Sequence, residues 1–340
     1  MPNNTESRKV QKTGTSTITV SLPKSWIDSN NIKAGDRVNM CITDDGTLCI
    51  DAGERKKSTP AKSIIEVDEG EAEHLGRKLI GAYLAGFDII EVKSKERIDL
   101  EMKHVIKAFS RLVIGPEVIE ETSNSITLHD LSDPVELPQK KCVRRMHLLV
   151  GSMYKDAITS YVSLDSALAE DVIDRDQDID RLYWMTVKQF NLIQKDRKLA
   201  EIVGTNIYDS MSLMLVARAI ERIGDHAEKI AKHVLERKSQ KSSQDEMDTI
   251  IKFSEESINI LSLATESFFS RDVNKANKVI DSADELSERI KETSYSSQND
   301  FTAEVMSILD SVGRVAMYSA DIAELAINDA MRSVDTSNAN

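Results

Sequence analysis

The sequence predicts a multidomain, mainly α protein: a small β domain at the N-terminus, a central α/β segment, and a C-terminal pair of three-helix bundles. Three observations predict it. Over the first fifty residues Val10, Ile18 and Val20, then Val38, Met40 and Ile42, alternate with polar neighbours, which is the period of half-buried strands. From Gln139 onward apolar residues recur every three or four positions with few glycines, the period of packed helices. Within that helical part a stripe of apolar residues repeats 92 positions later.

Composition sets the outer bounds. With 40 % hydrophobic and 30 % charged residues, 13 Gly and 6 Pro, the 340-residue chain reads as folded and helix-rich. The longest apolar run, around Leu79 to Phe87, is too short for a membrane span, and no secretory signal is evident, so a cytoplasmic location is expected. Cys41, Cys49 and Cys142 form no CxxC and read as buried spare thiols of a reduced compartment. A net charge of −13 argues against the whole chain wrapping nucleic acid, but residues 1–62 carry ten basic and seven acidic side chains, leaving −16 on the remainder.

Taken in order, residues 1–52 read as four short strands, with Pro23 opening a brief helix through Trp26 and Ile27, Ala34-Gly35-Asp36 returning the chain to a strand, and Asp45-Gly46 marking a hairpin. So few residues bury little surface alone, which favours a dimer that shares its core. Lys12-Thr13-Gly14, the strand from Thr17 to Ser21, Leu22-Pro23-Lys24-Ser25-Trp26, Lys33-Ala34-Gly35-Asp36-Arg37-Val38 and the Asp45-Gly46 hairpin together resemble the AbrB/SpoVT swapped-hairpin DNA-binding fold. That resemblance implies a homodimer whose basic rim meets DNA, with Arg8, Lys9, Lys12, Lys24 and Arg37 in the matching positions. Paired basic rims would add salt-dependent phosphate contacts. The alternative is a dimerisation module whose charges are merely solvated.

Residues 53–62, charged and without periodicity, read as a linker. Residues 63–138 read as strand, helix (71–85), strand (88–92), helix (99–112) and a final β-like stretch, ended by Pro134 and Pro138. Both helices carry a Glu-x-x-His spacing, Glu71/His74 and Glu101/His104. Di-iron bundles need four long converging helices, so these pairs read as solvated surface.

Residues 139–237 and 245–333 read as two related three-helix units, and the final residues, from about Asp335, as frayed. The stripe Ile220, Ile223, Ala227, Ile230, Val234 falls on Val312, Val315, Ser319, Ile322, Ala326. Beside it stand Glu221 and Asp225, four apart on one flank, with Gly224 offering a gap where a neighbour could approach. An earlier helix carries a second four-residue pair, Asp176 and Asp180. The repeat replaces these four by Gly313, Met317, Ala283 and Ser287, so scaffold is kept while both acidic pairs vanish together. Joint loss is expected if the four carboxylates serve one site. The competing reading is a surface stripe neutralised by Arg218, Arg222 or Arg175. His226 reads as a bystander.

Glu221-Arg222-Ile223-Gly224-Asp225-His226-Ala227 with Ile230-Ala231, supported by Asp176-Gln177-Asp178-Ile179-Asp180 and by residues 314–324 of the second unit, resembles the PhoU family of phosphate-signalling proteins. The resemblance implies tandem three-helix bundles and metal, iron or zinc, held by Asp176, Asp180, Glu221 and Asp225; the second unit departs from the pattern. Ligand chemistry alone suits hard cations such as Mg²⁺ or Mn²⁺ equally. The head, α/β segment and body together look like archaeal phosphate-uptake regulators. The expected function is a phosphate-responsive transcriptional regulator, not an enzyme, since no nucleophile stands with a base. The alternative is an adaptor that dimerises through the head and restrains a phosphate transporter, through its ABC-type ATPase, or a sensor kinase, without touching DNA.

Overall fold

The computed structural model describes residues 6–42, 46–52, 60–68, 72–236, 243–296 and 301–337. Most of the expected linker and Glu71 lie outside them, as does Asp45 of the hairpin turn. The chain divides into two compact units, residues 1–59 and 60–340.

In the first unit β1 (Gln11–Thr13) pairs antiparallel with β2 (Thr17–Thr19), α1 spans Lys24–Asn30, and β3 (Asn39–Ile42) pairs antiparallel with β4 (Leu48–Asp51). Pro23 precedes α1 with the fixed φ that suits a helix start, and Asn31 ends it in the left-handed conformation. The two hairpins form separate two-stranded sheets. None of the unit's described side chains is buried: Ile18 is 69 % and Ile42 76 % exposed, with Val10, Val20, Met40 and Leu48 also open. Isolated two-stranded hairpins are marginal in water, so this much apolar surface calls for a cover. One expectation fails here. Of the three cysteines only Cys142 is buried; Cys41 is exposed and Cys49 half-buried, because they sit on a hairpin with no core of its own.

The second unit begins with β5 (Lys62–Val67), α2 (Ala72–Leu84), β6 (Ile89–Ser94), α3 (Leu100–Leu112), β7 (Pro116–Glu121) and β8 (Ser125–Asp130). The sheet order is β5-β6-β8-β7, parallel for β5/β6 and antiparallel elsewhere. Asp99 caps α3 by accepting from Met102 N–H at 2.7 Å. Leu75, Leu79, Tyr83, Ile90, Val92, Ile106 and Leu128 fill the space between helices and sheet.

Six long helices follow: α4 (Gln139–Ser163), α5 (Ser166–Lys195), then after the short α6 (Arg197–Val203) α7 (Ile207–Glu236), α8 (Gln244–Ser270), α9 (Val273–Ser296) and α10 (Ala303–Ser337). Helices α4, α5 and α7 pack together, as do α8, α9 and α10; α7 against α10 and α4 against α8 join the sets into one core. The repeated stripe is buried in both copies, from Ile220 to Val234 and from Val312 to Ala326. Asp165 caps α5, and Ser243 with Glu246 forms a capping box on α8.

Helix α5 also anchors the α/β segment. Lys188, buried, pairs with Asp130 and donates to Ser132 Oγ at 3.0 Å; Asn191 and Lys195 donate to the carbonyls of Leu84 and Ala85 at 2.9 and 2.6 Å. Breaking a buried ion pair from one side strands the other charge. Lys188→Met is therefore expected to cost about 3–5 kcal/mol in chemical denaturation, and Lys188→Met/Asp130→Leu distinctly less; equal losses would contradict this account of the contact.

Candidate functional site

Asp176 and Asp180 lie on α5, and Glu221 and Asp225 on α7, all half-buried along the seam between these packed helices. Four-residue spacing puts the two members of each pair on one flank of their helix, and the seam is narrow because Gly224 has no side chain. A Cβ at Gly224 would meet Asp176 Oδ1 at 3.0 Å and Ile179 Cδ1 at 3.2 Å. The gap expected at Gly224 is thus filled by α5.

Charge in the seam is unevenly compensated. On α7, Arg218 reaches Glu221 at 3.2 Å, and Arg222 stands 3.9 Å from Glu221 and 3.8 Å from Asp225. Arg175, on α5, instead pairs with Asp156 at 2.7 Å and Asp171 at 2.9 Å. Asp176 and Asp180 have no ion pair among the described residues. Burial, then the neighbouring charges of Asp180, Glu228, Asp225 and Glu221, pushes Asp176 up to about 7. Asp180 is raised to about 6 by burial and by Asp225 and Glu228, against Arg218. Glu221 and Asp225 are raised too, burial again leading. Glu221 Oε2 is buried without a hydrogen-bond partner.

Sequence reasoning missed Glu228, one turn beyond Asp225, which pairs with Lys232 at 2.6 Å and adds its charge to the seam. The signal was available in its three-residue spacing from Asp225. His226 stands apart from the acids: its ring lies 5.9 Å from that of Tyr318 on α10, and burial lowers it to about 4.

An all-oxygen set with an orphaned buried acceptor fits a hard or borderline cation. Among the described residues no three His, Cys, Asp or Glu side chains yet stand together as a ligand group, so binding requires these side chains to turn toward one another.

In the first unit all five basic candidates, Arg8, Lys9, Lys12, Lys24 and Arg37, are exposed. Arg8 pairs with Glu6 and approaches Ser21 Oγ at 3.4 Å. Lys12 is the cross-strand partner of Ile18, so it shares the face that carries the apolar residue of β2. Basic and apolar surface are therefore not cleanly separated on this hairpin.

Comparison with known proteins bears on both units. Residues 143–234, which contain all four carboxylates, match the PhoU domain. The chain carries a PhoU domain. Residues 11–62 match the family described as antidote-toxin recognition MazE, bacterial antitoxin, so the PhoU domain follows a MazE/AbrB-like domain; Arg8 and Lys9 precede the matched span. Two proteins named phosphate-specific transport system accessory protein PhoU homolog, from Xylella fastidiosa strains Temecula1 and 9a5c, are each 28 % identical over 123 residues, covering 36 % of this chain and 47 % or 48 % of theirs. The chain spans about half the length of these curated relatives. Crystal structures of PhoU from Streptococcus pneumoniae (20 % identity, TM-score 0.44, 56 % of this chain and 91 % of that one) and Pseudomonas aeruginosa (20 %, 0.47, 57 % and 96 %) are also similar.

The raised carboxylates of the PhoU domain set a pH dependence. Because the folded state holds protons on Asp176 and Asp180 that the unfolded chain has released, stability contributed below the ordinary carboxylate range is lost as pH rises through about 6 to 7. In chelator, the thermal midpoint is expected to fall by a few degrees between about pH 5 and pH 8. Asp176→Asn should flatten that slope; an unaltered slope would contradict the assignment.

Proposed function

We propose that this chain is a phosphate-responsive regulator of phosphate uptake or metabolism, with the PhoU domain as a metal-binding sensor body and the N-terminal domain as a dimeric, DNA-binding transcriptional head. The observation that carries the reading is the seam of four carboxylates inside the PhoU-matched span, with its α5 half making no ion pair among the described residues. Asp176, Asp180, Glu221 and Asp225 would hold a divalent or trivalent ion, iron or zinc by resemblance and Mg²⁺ or Mn²⁺ by donor type. Such an ion would supply positive charge to Asp176 and Asp180, which make no ion pair with Arg218 or Arg222. The two relatives named for phosphate-specific transport support the phosphate connection.

For the head, the support is the uncovered apolar set and the exposed basic side chains of a unit in which no described side chain is fully buried. A second copy covering the apolar surface would align two basic rims for phosphate contacts. The body then acts by setting the availability of those rims. Among the described residues no helix is long and apolar enough to cross a membrane, and the proposed setting is the cytoplasm.

One observation favours the second reading. Lys12 shares the apolar face of its hairpin, where a second copy would cover it, so a head that dimerises and does not bind DNA fits as well. In that case the body restrains a phosphate transporter's ABC-type ATPase or a sensor kinase.

Elemental analysis of protein purified without chelator is expected to find metal that Asp180→Ala/Asp225→Ala loses; equal content would overturn the site. In gel retardation at moderate salt, Arg8→Ala/Lys9→Ala/Lys24→Ala is expected to weaken DNA binding by on the order of tenfold or more. Wild-type protein that retards no DNA, yet remains dimeric, would select the adaptor.

A further inference from the structure

Of the three cysteines in the chain, Cys142 is sealed in the core of the helical unit, where burial pushes its thiol up to about 11. It is chemically inert there. The other two face each other. In the β3–β4 hairpin the antiparallel register pairs Cys41 directly with Cys49, flanked by Met40↔Ile50 and Ile42↔Leu48.

Directly opposed residues of an antiparallel pair stand about 4.5–5.5 Å apart at Cα, inside the roughly 4.4–6.8 Å span of bonded cysteines. Their Cβ atoms stand about 4.5–5.5 Å apart, at or beyond the upper end of the disulfide range, so closure draws the strands together. A bond formed under such strain, across a loop this short, gains little from chain entropy and is easily reduced. Position on the hairpin matters equally. Alternation puts Cys41 and Cys49 on one face with Asn39 and Asp51, and Met40, Ile42, Leu48 and Ile50 on the other. A partner that covers the apolar face leaves the cysteine face outward.

We infer that Cys41 and Cys49 form a reversible, intramolecular cross-strand disulfide, making the β3–β4 hairpin a redox modification site. The oxidant is a low-molecular-weight disulfide such as glutathione disulfide. One cysteine thiolate attacks it, breaking its S–S bond and releasing one glutathione thiolate. The second cysteine thiolate then attacks the protein-bound sulfur of that mixed disulfide and expels the other. Two thiols lose two electrons and two protons in all, and the oxidant leaves as two molecules of glutathione. This chemistry is independent of the carboxylate seam and of any DNA contact.

The sequence offers a direct readout, since no Lys or Arg lies between Arg37 and Arg55 and trypsin releases both cysteines in the single peptide 38–55. Full-length protein equilibrated with glutathione disulfide, then alkylated and digested without reductant, is expected to yield this peptide unalkylated and lighter by two hydrogens. Dithiothreitol should restore it, and cleavage on the N-terminal side of Asp44 or Asp45 should leave its halves joined. Cys41→Ser and Cys49→Ser should each abolish the mass loss. A peptide still alkylated at both positions, glutathione adducts alone, or 38–55 peptides linked between two chains would each overturn the inference.

Discussion

Helices α5 and α7 approach closely at Gly224, and most of what is distinctive in the helical unit depends on that approach. Ile179 of α5 fills the space a side chain at Gly224 would take, which brings Asp176 against the α7 backbone. Apolar burial along the stripe drives the contact, each fully buried Ile or Val contributing about 1.5–3 kcal/mol. The price is a half-buried seam of like charges. At its far end α5 is fastened to the α/β segment by Lys188, Asn191 and Lys195, so the helix cannot easily draw back to relieve the repulsion. Carboxylates kept half-buried in one seam by packing, against their own electrostatics, hold protons more tightly than exposed ones.

The second helix set shows that this charge is not needed for the fold. Val312, Val315, Ser319, Ile322 and Ala326 are as buried as the first stripe. Where the first set places Asp176, the second has Ala283, fully buried, and the other acids give way to Ser287, Gly313 and Met317. A packing pattern has been kept twice and the acids once. The local strain of the seam is therefore an added property of one copy, consistent with function being laid over a scaffold.

Much of this was legible in the sequence, since periodicity reads out burial directly: the strands of the head, the α/β order and the six long helices follow from it, and Gly224 marked the close approach. Other features needed more. Helix α6 is not legible in the sequence although Asp196 and Gly204 cap it at either end, because its seven residues are too few to show a period. Lys188 sits in a helix as an ordinary polar residue, and only the fold brings Asp130 to it. The opposition of Cys41 and Cys49 depends on hairpin register: a two-residue Asp45-Gly46 turn would set Cys41 opposite Ile50, one position off the observed pairing. Glu228 makes no four-residue acidic pair with Asp225, although its three-residue spacing shares the same flank.

The proposed function requires Asp176, Asp180, Glu221 and Asp225 to act as one cation site. Anomalous diffraction from crystals of the full chain grown with iron or zinc, recorded on either side of the metal absorption edge, tests this most directly. The predicted result is an edge-dependent peak in the α5–α7 seam, coordinated by carboxylates from both helices. No peak there, or metal bound only elsewhere on the chain, would contradict it.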